Sequence, residues 1–200
     1  WGSAVGIHGF GQGGLLIDGG KSTAAHAGAI AARVEMPEWG VLLATPIEGH
    51  GLSGDVERTA FQRMPPMSPA TTDRLCRIAL LGLSPAVAEG DFVGASQALS
   101  DFGRTAGEYF APVQGGVLAH PLMRELESEL RSRGVVGIAQ SSWGPTLAAL
   151  LPNLAAAVEL RDALARSSRW SSCRFHATTP LNRGAEVVFT SRPDLEEAPS

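Results

Sequence analysis

The stretch Gly134–Thr146, GVVGIAQSSWGPT, decides how the chain is read. Val135, Val136 and Ile138 supply a short apolar strand, with Gly134 and Gly137 beside its first residues. Gln140, Ser141, Ser142 and Trp143 then crowd an amide, two hydroxyls and an indole into one turn. Gly144, Pro145 and Thr146 reopen the chain into a second apolar run, Leu147–Leu151. Strand, polar turn and strand make a hairpin. Such a turn at the edge of a core offers hydroxyls and backbone N–H groups to an anion or a polar small molecule. An ordinary hairpin turn around a packed Trp fits the same letters.

Working outward, Val41–Thr45 reads as a buried strand ended by Pro46. Gly49–Gly54 is a glycine loop, and Asp55 suits the cap of a helix to about Arg63. Pro65, Pro66 and Pro69 form a stiff break. Leu75, Ile78, Ala79 and Leu83 fall at helical spacing over Thr72–Glu89, with Pro85 disturbing the end. Asp91 caps a helix to about Phe110. His120-Pro121 opens another, with Leu122, Leu126 and Leu130 one turn apart and Gly134 closing it. After the hairpin, Asn153 caps a helix through about Ser167. Arg174–Thr178 and Ala185–Thr190 read as two short strands around Asn182-Arg183-Gly184. From Val41 onward this order suits an α+β plait, with helices on one face of an antiparallel sheet. Before it, SAVGIHGF and GLLIDGG read as two strands joined at Gly11-Gln12-Gly13, and residues 21–38 as a loop or weak helix.

Composition bounds the function. The 200 residues suffice for one or two domains, and 44% hydrophobic with 18% charged residues describes a folded, globular chain. The net charge of −4 and the lack of a basic block argue against nucleic acid or a membrane surface as partner. No apolar run is long enough to cross a bilayer, and no secretory signal is legible, so a cytoplasmic protein is expected. Cys76 and Cys173 are far apart and read as buried reduced thiols. Trp1-Gly2 enters directly into apolar sequence, as a piece of a longer protein would.

Several motifs tempt. Gly9-Phe10-Gly11-Gln12-Gly13-Gly14 has the letters of a dinucleotide turn, but that mechanism needs a helix N-terminus to follow, and LLID follows instead. Gly19-Gly20-Lys21-Ser22-Thr23 resembles the end of a phosphate loop, but the required upstream glycine position is Leu15. His8, His26, His50, His120 and His176 show no metal spacing. His120 reads as a helix-start residue. His50, beside Glu48, is a candidate for proton transfer, with a solvated loop histidine as the plainer alternative. Asp18 ends the run Leu15-Leu16-Ile17, where a carboxylate can bind Mg²⁺, stabilise a developing cation or simply form a turn.

Taken in order, SAVGIHGF-GQGGLLIDGGK, WGVLLATPIEGHGLSGDVE, GVVGIAQSSWGPTLAAL and NRGAEVV resemble the β-ribofuranosylaminobenzene 5′-phosphate synthases, a branch of the GHMP kinase superfamily. The resemblance spans nearly the whole chain. It implies a GHMP-type fold: residues 1–38 ending the N-terminal domain with its last strands, residues 39–190 forming a ferredoxin-like C-terminal plait, and residues 191–200 a flexible tail. The superfamily's third, glycine-rich motif falls on Gly137–Pro145. The phosphate loop of the type PxxxGLGSS is not in these residues, so the chain is expected to be the C-terminal two-thirds of a synthase and not necessarily active alone.

The resemblance also implies a reaction. Phosphoribosyl pyrophosphate condenses with 4-aminobenzoate, or a hydroxybenzoate analogue, releasing CO₂ and pyrophosphate on the way to methanopterin-type one-carbon cofactors. It makes Asp18, Ser142 and His50 the catalytic candidates. Gln140, Ser141, Trp143, Gly144, Thr146, Gly13 and Gly14 become the substrate-binding candidates, with Trp143 a wall against the aromatic ring. Mg²⁺ is the expected cofactor and a homodimer the expected assembly. Two other readings stay open. One is an ATP-dependent GHMP small-molecule kinase. The other is a non-catalytic module completing a site or dimer with another chain.

Overall fold

The computed structural model describes residues 4–20, 27–49, 51 and 54–188. At its centre is a four-stranded antiparallel sheet of β3 (Gly40–Pro46), β4 (Ile138–Gln140), β5 (Leu147–Leu151) and β6 (Cys173–Thr178). The spatial order is β4-β5-β3-β6, and every pairing is antiparallel. With helices crossing between β3 and β4 and between β5 and β6, this is the β-α-β-β-α-β plait. The last expected strand does not form within residues 179–188, and residues 189–190 lie outside the described set. The sheet is complete without it, because β6 already occupies the open edge of β3.

Helices cover both faces of this sheet, which corrects the one-sided expectation. On one face, Leu42, Ala44, Leu147, Ala149 and Leu151 meet Met123, Leu126 and Leu130 of α6 (Pro121–Ser132) and Ala157 and Leu164 of α7 (Leu154–Ala165). On the other, Val41 and Leu150 meet Ala86, Val87 and Ala95 of α4 (Ser84–Glu89) and α5 (Phe92–Gln114). The sequence of β5, LAALL, holds the reason. A strand with one wet face alternates; an unbroken apolar strand is covered twice. Each fully buried leucine here contributes about 1.5–3 kcal/mol of transfer free energy.

Most helix signals act as the sequence predicts. Asp91 Oδ1 accepts from Gly94 N at 3.0 Å, and Asn153 Oδ1 accepts from Ala156 N at 2.9 Å. Asp55 is not a cap; it lies in the first turn of α2 (Gly54–Arg63), where a carboxylate favours the helix dipole. The helix expected to Glu89 begins at Pro69 as α3 (Pro69–Arg77), and a wide π-turn over Ile78–Leu83 joins it to α4. There Ser84 N–H reaches back to Ala79 O. The widening accommodates Pro85, whose ring and missing N–H a regular turn would not tolerate. α5 runs to Gln114, and its small residues let β4 approach closely. A Cβ on Gly103 would lie 2.9 Å from Ala139 Cβ, and one on Gly137 3.0 Å from Ser96 Cα.

The N-terminal part departs from the sequence reading. Ala4–Gln12 is a helix, α1, and Leu15–Asp18 a strand, β1, paired antiparallel with β2 (Ile30–Val34). Short apolar runs do not distinguish strand from helix by periodicity. Here His8 Nε2 bonds Gly28 O at 2.9 Å, and Gly9 lies over Leu16. The turn follows α1 at Gly13 and Gly14, both with positive φ. The segment expected to be loop or weak helix supplies β2, and residues 21–26 lie outside the described set. Cys173 is buried and free as expected, whereas Cys76 is exposed. Among the described residues, no helix is long and apolar enough to cross a membrane.

Candidate functional site

The hairpin turn is a built object. Ser141 N–H donates to Thr146 O at 2.9 Å, and Gly144 N–H to Ser141 O at 2.6 Å. Ser142 sits at φ 44°, and Gly144 at φ 70° precedes a cis Pro145. These two left-handed residues bend the chain sharply enough to close the turn on its own hydrogen bonds. The side chains of Ser141 and Ser142 are exposed. Thr146 Oγ1 lies 2.9 Å from Thr45 Oγ1, which fastens the turn to the end of β3.

Gln140 is bound to protein on every side. Its Oε1 accepts from Ala119 N at 2.7 Å, and its Nε2 donates to Gln114 Oε1 at 3.2 Å and to Ser142 O at 3.0 Å. It thus links the turn to the end of α5 and to the segment before α6. Trp143 differs from the open wall the resemblance implies. It is 4% exposed, with Phe110 at 4.6 Å and Phe61 at 5.2 Å between ring centroids. Packed against two other rings, the indole gains more than it would exposed, while Phe61 keeps 47% of its own surface open. Tyr109 extends this cluster and donates from its hydroxyl to Pro65 O at 2.8 Å.

After β3, Gly49 lies against His120 and Gly51 against this turn. A Cβ on Gly51 would sit 2.1 Å from Gly144 O, and one on Gly49 3.0 Å from His120 Cδ2. At Gly51 a side chain would not fit this approach, and at Gly49, with φ +96°, one would be strained. His50 falls outside the described residues. His120 is a helix cap, its Nδ1 accepting from Leu122 N at 3.2 Å. Sequence reading found that role but not its position beside the loop. That position depends on a contact across 71 residues, which no local pattern signals.

The other candidates lie elsewhere, on the β1–β2 ribbon. Asp18 Oδ1 accepts from Gly20 N at 2.8 Å and packs on Gly28. The turn-forming role is therefore in place at that oxygen. Gly13 and Gly14 turn against residues 181–183: Gly14 N–H donates to Leu181 O at 2.7 Å, and a Cβ on Gly13 would strike Leu181 O. Asn182 completes this clasp. Its Oδ1 accepts from Met36 N at 2.7 Å and its Nδ2 donates to Met36 O at 2.8 Å, as a paired strand would. Among the described residues, no three His, Cys, Asp or Glu side chains come together to hold a metal. Mg²⁺ here would rest on one carboxylate such as Asp18, with phosphate oxygens and water completing its shell.

Comparison with known proteins follows the same lines. The family model for the GHMP kinase C-terminal domain matches residues 83–168. A β-ribofuranosylphenol 5′-phosphate synthase of Archaeoglobus fulgidus is 29% identical over 199 residues, covering 92% of this chain and 60% of that protein. One of the same name from Methanothermobacter thermautotrophicus is 27% identical over 158 residues, covering 72% of this chain and 47% of that protein. The chain thus spans about half to three-fifths of the length of these relatives. Among solved structures, homoserine kinase from Cytophaga hutchinsonii superposes with a TM-score of 0.65 at 14% identity, covering 91% of this chain and 53% of that one. Mevalonate pyrophosphate decarboxylase from Streptococcus pyogenes gives 0.56 at 12% identity, covering 80% and 50%. At these identities the likeness is one of fold alone. The chain has the GHMP kinase C-terminal fold and resembles, along most of its length, the β-ribofuranosylphenol 5′-phosphate synthases.

Proposed function

We propose that this chain serves a decarboxylating phosphoribosyl transfer, in which phosphoribosyl pyrophosphate and a para-substituted benzoate give a β-ribofuranosyl arene 5′-phosphate, CO₂ and pyrophosphate. The observation carrying this reading is that two curated relatives bear one synthase name, with the first alignment covering 92% of the chain. That name, a ribosylated phenol phosphate, favours 4-hydroxybenzoate over 4-aminobenzoate as acceptor. The chemistry balances without an oxidant. The ring carbon bearing the carboxylate forms a bond to the anomeric carbon as pyrophosphate leaves. The carbon–carboxylate bond then breaks, CO₂ departs, and its electron pair restores the aromatic ring.

In this reading the exposed hydroxyls of Ser141 and Ser142 bind phosphate oxygens, and Gly144, whose N–H is held by Ser141 O, shapes the turn that presents them. Trp143, backed by Phe61 and Phe110, keeps the turn rigid and water away from it, and Thr146 holds it to β3. Gln140 supports the turn without touching substrate. Asp18 stabilises positive charge on the ribosyl ring or shares Mg²⁺ with the pyrophosphate. His50 moves a proton, and Gly13 and Gly14 shape the ribbon that carries Asp18. The working protein is a cytoplasmic homodimer.

The test is full-length protein with phosphoribosyl pyrophosphate and each benzoate, without ATP. Matched release of CO₂ and pyrophosphate is expected, and Asp18→Ala or Ser142→Ala is expected to lower turnover by more than about tenfold. ATP consumption with a metabolite alcohol, and none of this release, would replace the synthase by a kinase.

A further inference from the structure

His120 has two ring nitrogens and, on the page so far, one job. Leu122 N–H donates to Nδ1, so that nitrogen serves as the acceptor of the cap. Among the described residues, Nε2 has no hydrogen-bond partner, and that edge of the ring faces the glycine loop. The position a Cβ on Gly49 would occupy is 3.0 Å from Cδ2 and 3.3 Å from Nε2. Gly49 itself sits at φ +96°, where a side chain would be strained. Two residues on, Gly51 is pressed on the carbonyl of Gly144 in the hairpin turn. Gly49 therefore lies against the imidazole and Gly51 against the turn.

The imidazole is fixed from both directions. On its C-terminal side it caps α6, whose Leu126 and Leu130 are fully buried. On its N-terminal side Ala119 N–H is held by Gln140, the same side chain that holds Ser142 O. The ring, Gly49, Gly51 and the turn are thus joined through a chain of direct contacts.

We propose that His120 is a positioning residue: through its Nε2 edge it seats Gly49, and with it Gly51, against the Gln140–Thr146 turn and so sets the turn's geometry for the phosphorylated donor. This rests on the proposed function for the identity of the donor, but not for the seating of the loop. A helix cap needs an acceptor only at the Nδ1 position, and most residue types used for capping are smaller. Seating needs the far edge of the ring.

Two substitutions in the full-length protein separate the roles. His120→Asn keeps an acceptor near Nδ1 and removes the Nε2 edge. His120→Gln carries an amide nitrogen out to the Nε2 position and caps less well. His120→Asn is expected to melt within about 2 °C of the wild type because Asn is a strong N-cap. Its amides over residues 49–54 are expected to exchange with solvent at least tenfold faster, roughly the effect of losing one or two contacts on a local opening. KM for phosphoribosyl pyrophosphate is expected to rise about fivefold or more with kcat altered less, and His120→Gln to restore much of it. If His120→Asn keeps wild-type exchange and wild-type KM, His120 is a cap and nothing more. If the wild type does not consume phosphoribosyl pyrophosphate, the function is wrong, and the exchange of residues 49–54 alone decides the role of His120. Should His120→Asn fail to fold, unchanged exchange over 49–54 in His120→Gln supports the seating and faster exchange there overturns it.

Discussion

Gln140 gives the sharpest contrast between a residue that binds substrate and one that builds the site. The resemblance places it in the binding set, whereas its amide is spent on protein: one bond accepted and two donated. Gln140→Ala removes all three and leaves Ala119 N–H, at 2.7 Å the shortest of them, without a partner. At about 0.5–1.5 kcal/mol net per bond, discounted because the site is only partly buried, the loss is roughly 2 kcal/mol. For a chain of this size that lowers Tm by roughly 4–8 °C. Gln140→Glu keeps the acceptor for Ala119 N–H but sets oxygen against both Gln114 Oε1 and Ser142 O, and should cost at least as much. The assay is thermal unfolding followed by circular dichroism, alongside steady-state kinetics near 20 °C. The reasoning is refuted if Gln140→Ala melts with the wild type and changes only KM, because the amide would then face substrate.

Other substitutions and treatments follow from the packing. Trp143→Ala vacates the ring packed between Phe61 and Phe110 and should destabilise by about 3–5 kcal/mol, read by denaturant unfolding; Tyr109→Phe, which loses one exposed bond to Pro65, should cost under about 1 kcal/mol. Asn182→Ala breaks both bonds to Met36 and should make residues 181–188 a site of rapid limited proteolysis, with a loss of about 1–2 kcal/mol. A thiol reagent should label Cys76 in the native protein and Cys173 only on unfolding. Burial also holds the Cys173 thiol above its ordinary value of 9.0. The unfolded chain therefore releases that proton first, so this contribution to stability is present below pH 9 and declines above it; Cys173→Ser should remove that part of the alkaline slope.

The plait was legible wherever the sequence carried local signals. Asp91, His120 and Asn153 announce their helices because each cap is satisfied within two or three residues of chain. Ile138–Gln140 and Leu147–Leu151 announce the hairpin because the turn between them is short. The second covering layer was written in LAALL, where alternation fails, yet its meaning depends on what lies above the sheet. α1 was unreadable as a helix because its apolar residues Val5, Ile7 and Phe10 are exposed, so no buried stripe marks the helical period. At the site, the residue types of the turn are legible in the sequence as one cluster. Their division into exposed Ser141 and Ser142, bonded Gln140 and buried Trp143 is not, because partners such as Phe61, Phe110 and Ala119 are remote in sequence. The clasp of Asn182 on Met36 spans 146 residues and has no local signature.

The central claim is the transfer of a phosphoribosyl group with loss of CO₂. It is tested most directly by incubating the full-length protein with carboxyl-labelled 4-hydroxybenzoate and phosphoribosyl pyrophosphate, without ATP. The account predicts labelled CO₂ and pyrophosphate in equal amounts, with an unlabelled ribosyl phenol phosphate as the product. Retention of the label in the benzoate, with phosphoribosyl pyrophosphate intact or merely hydrolysed, would contradict it.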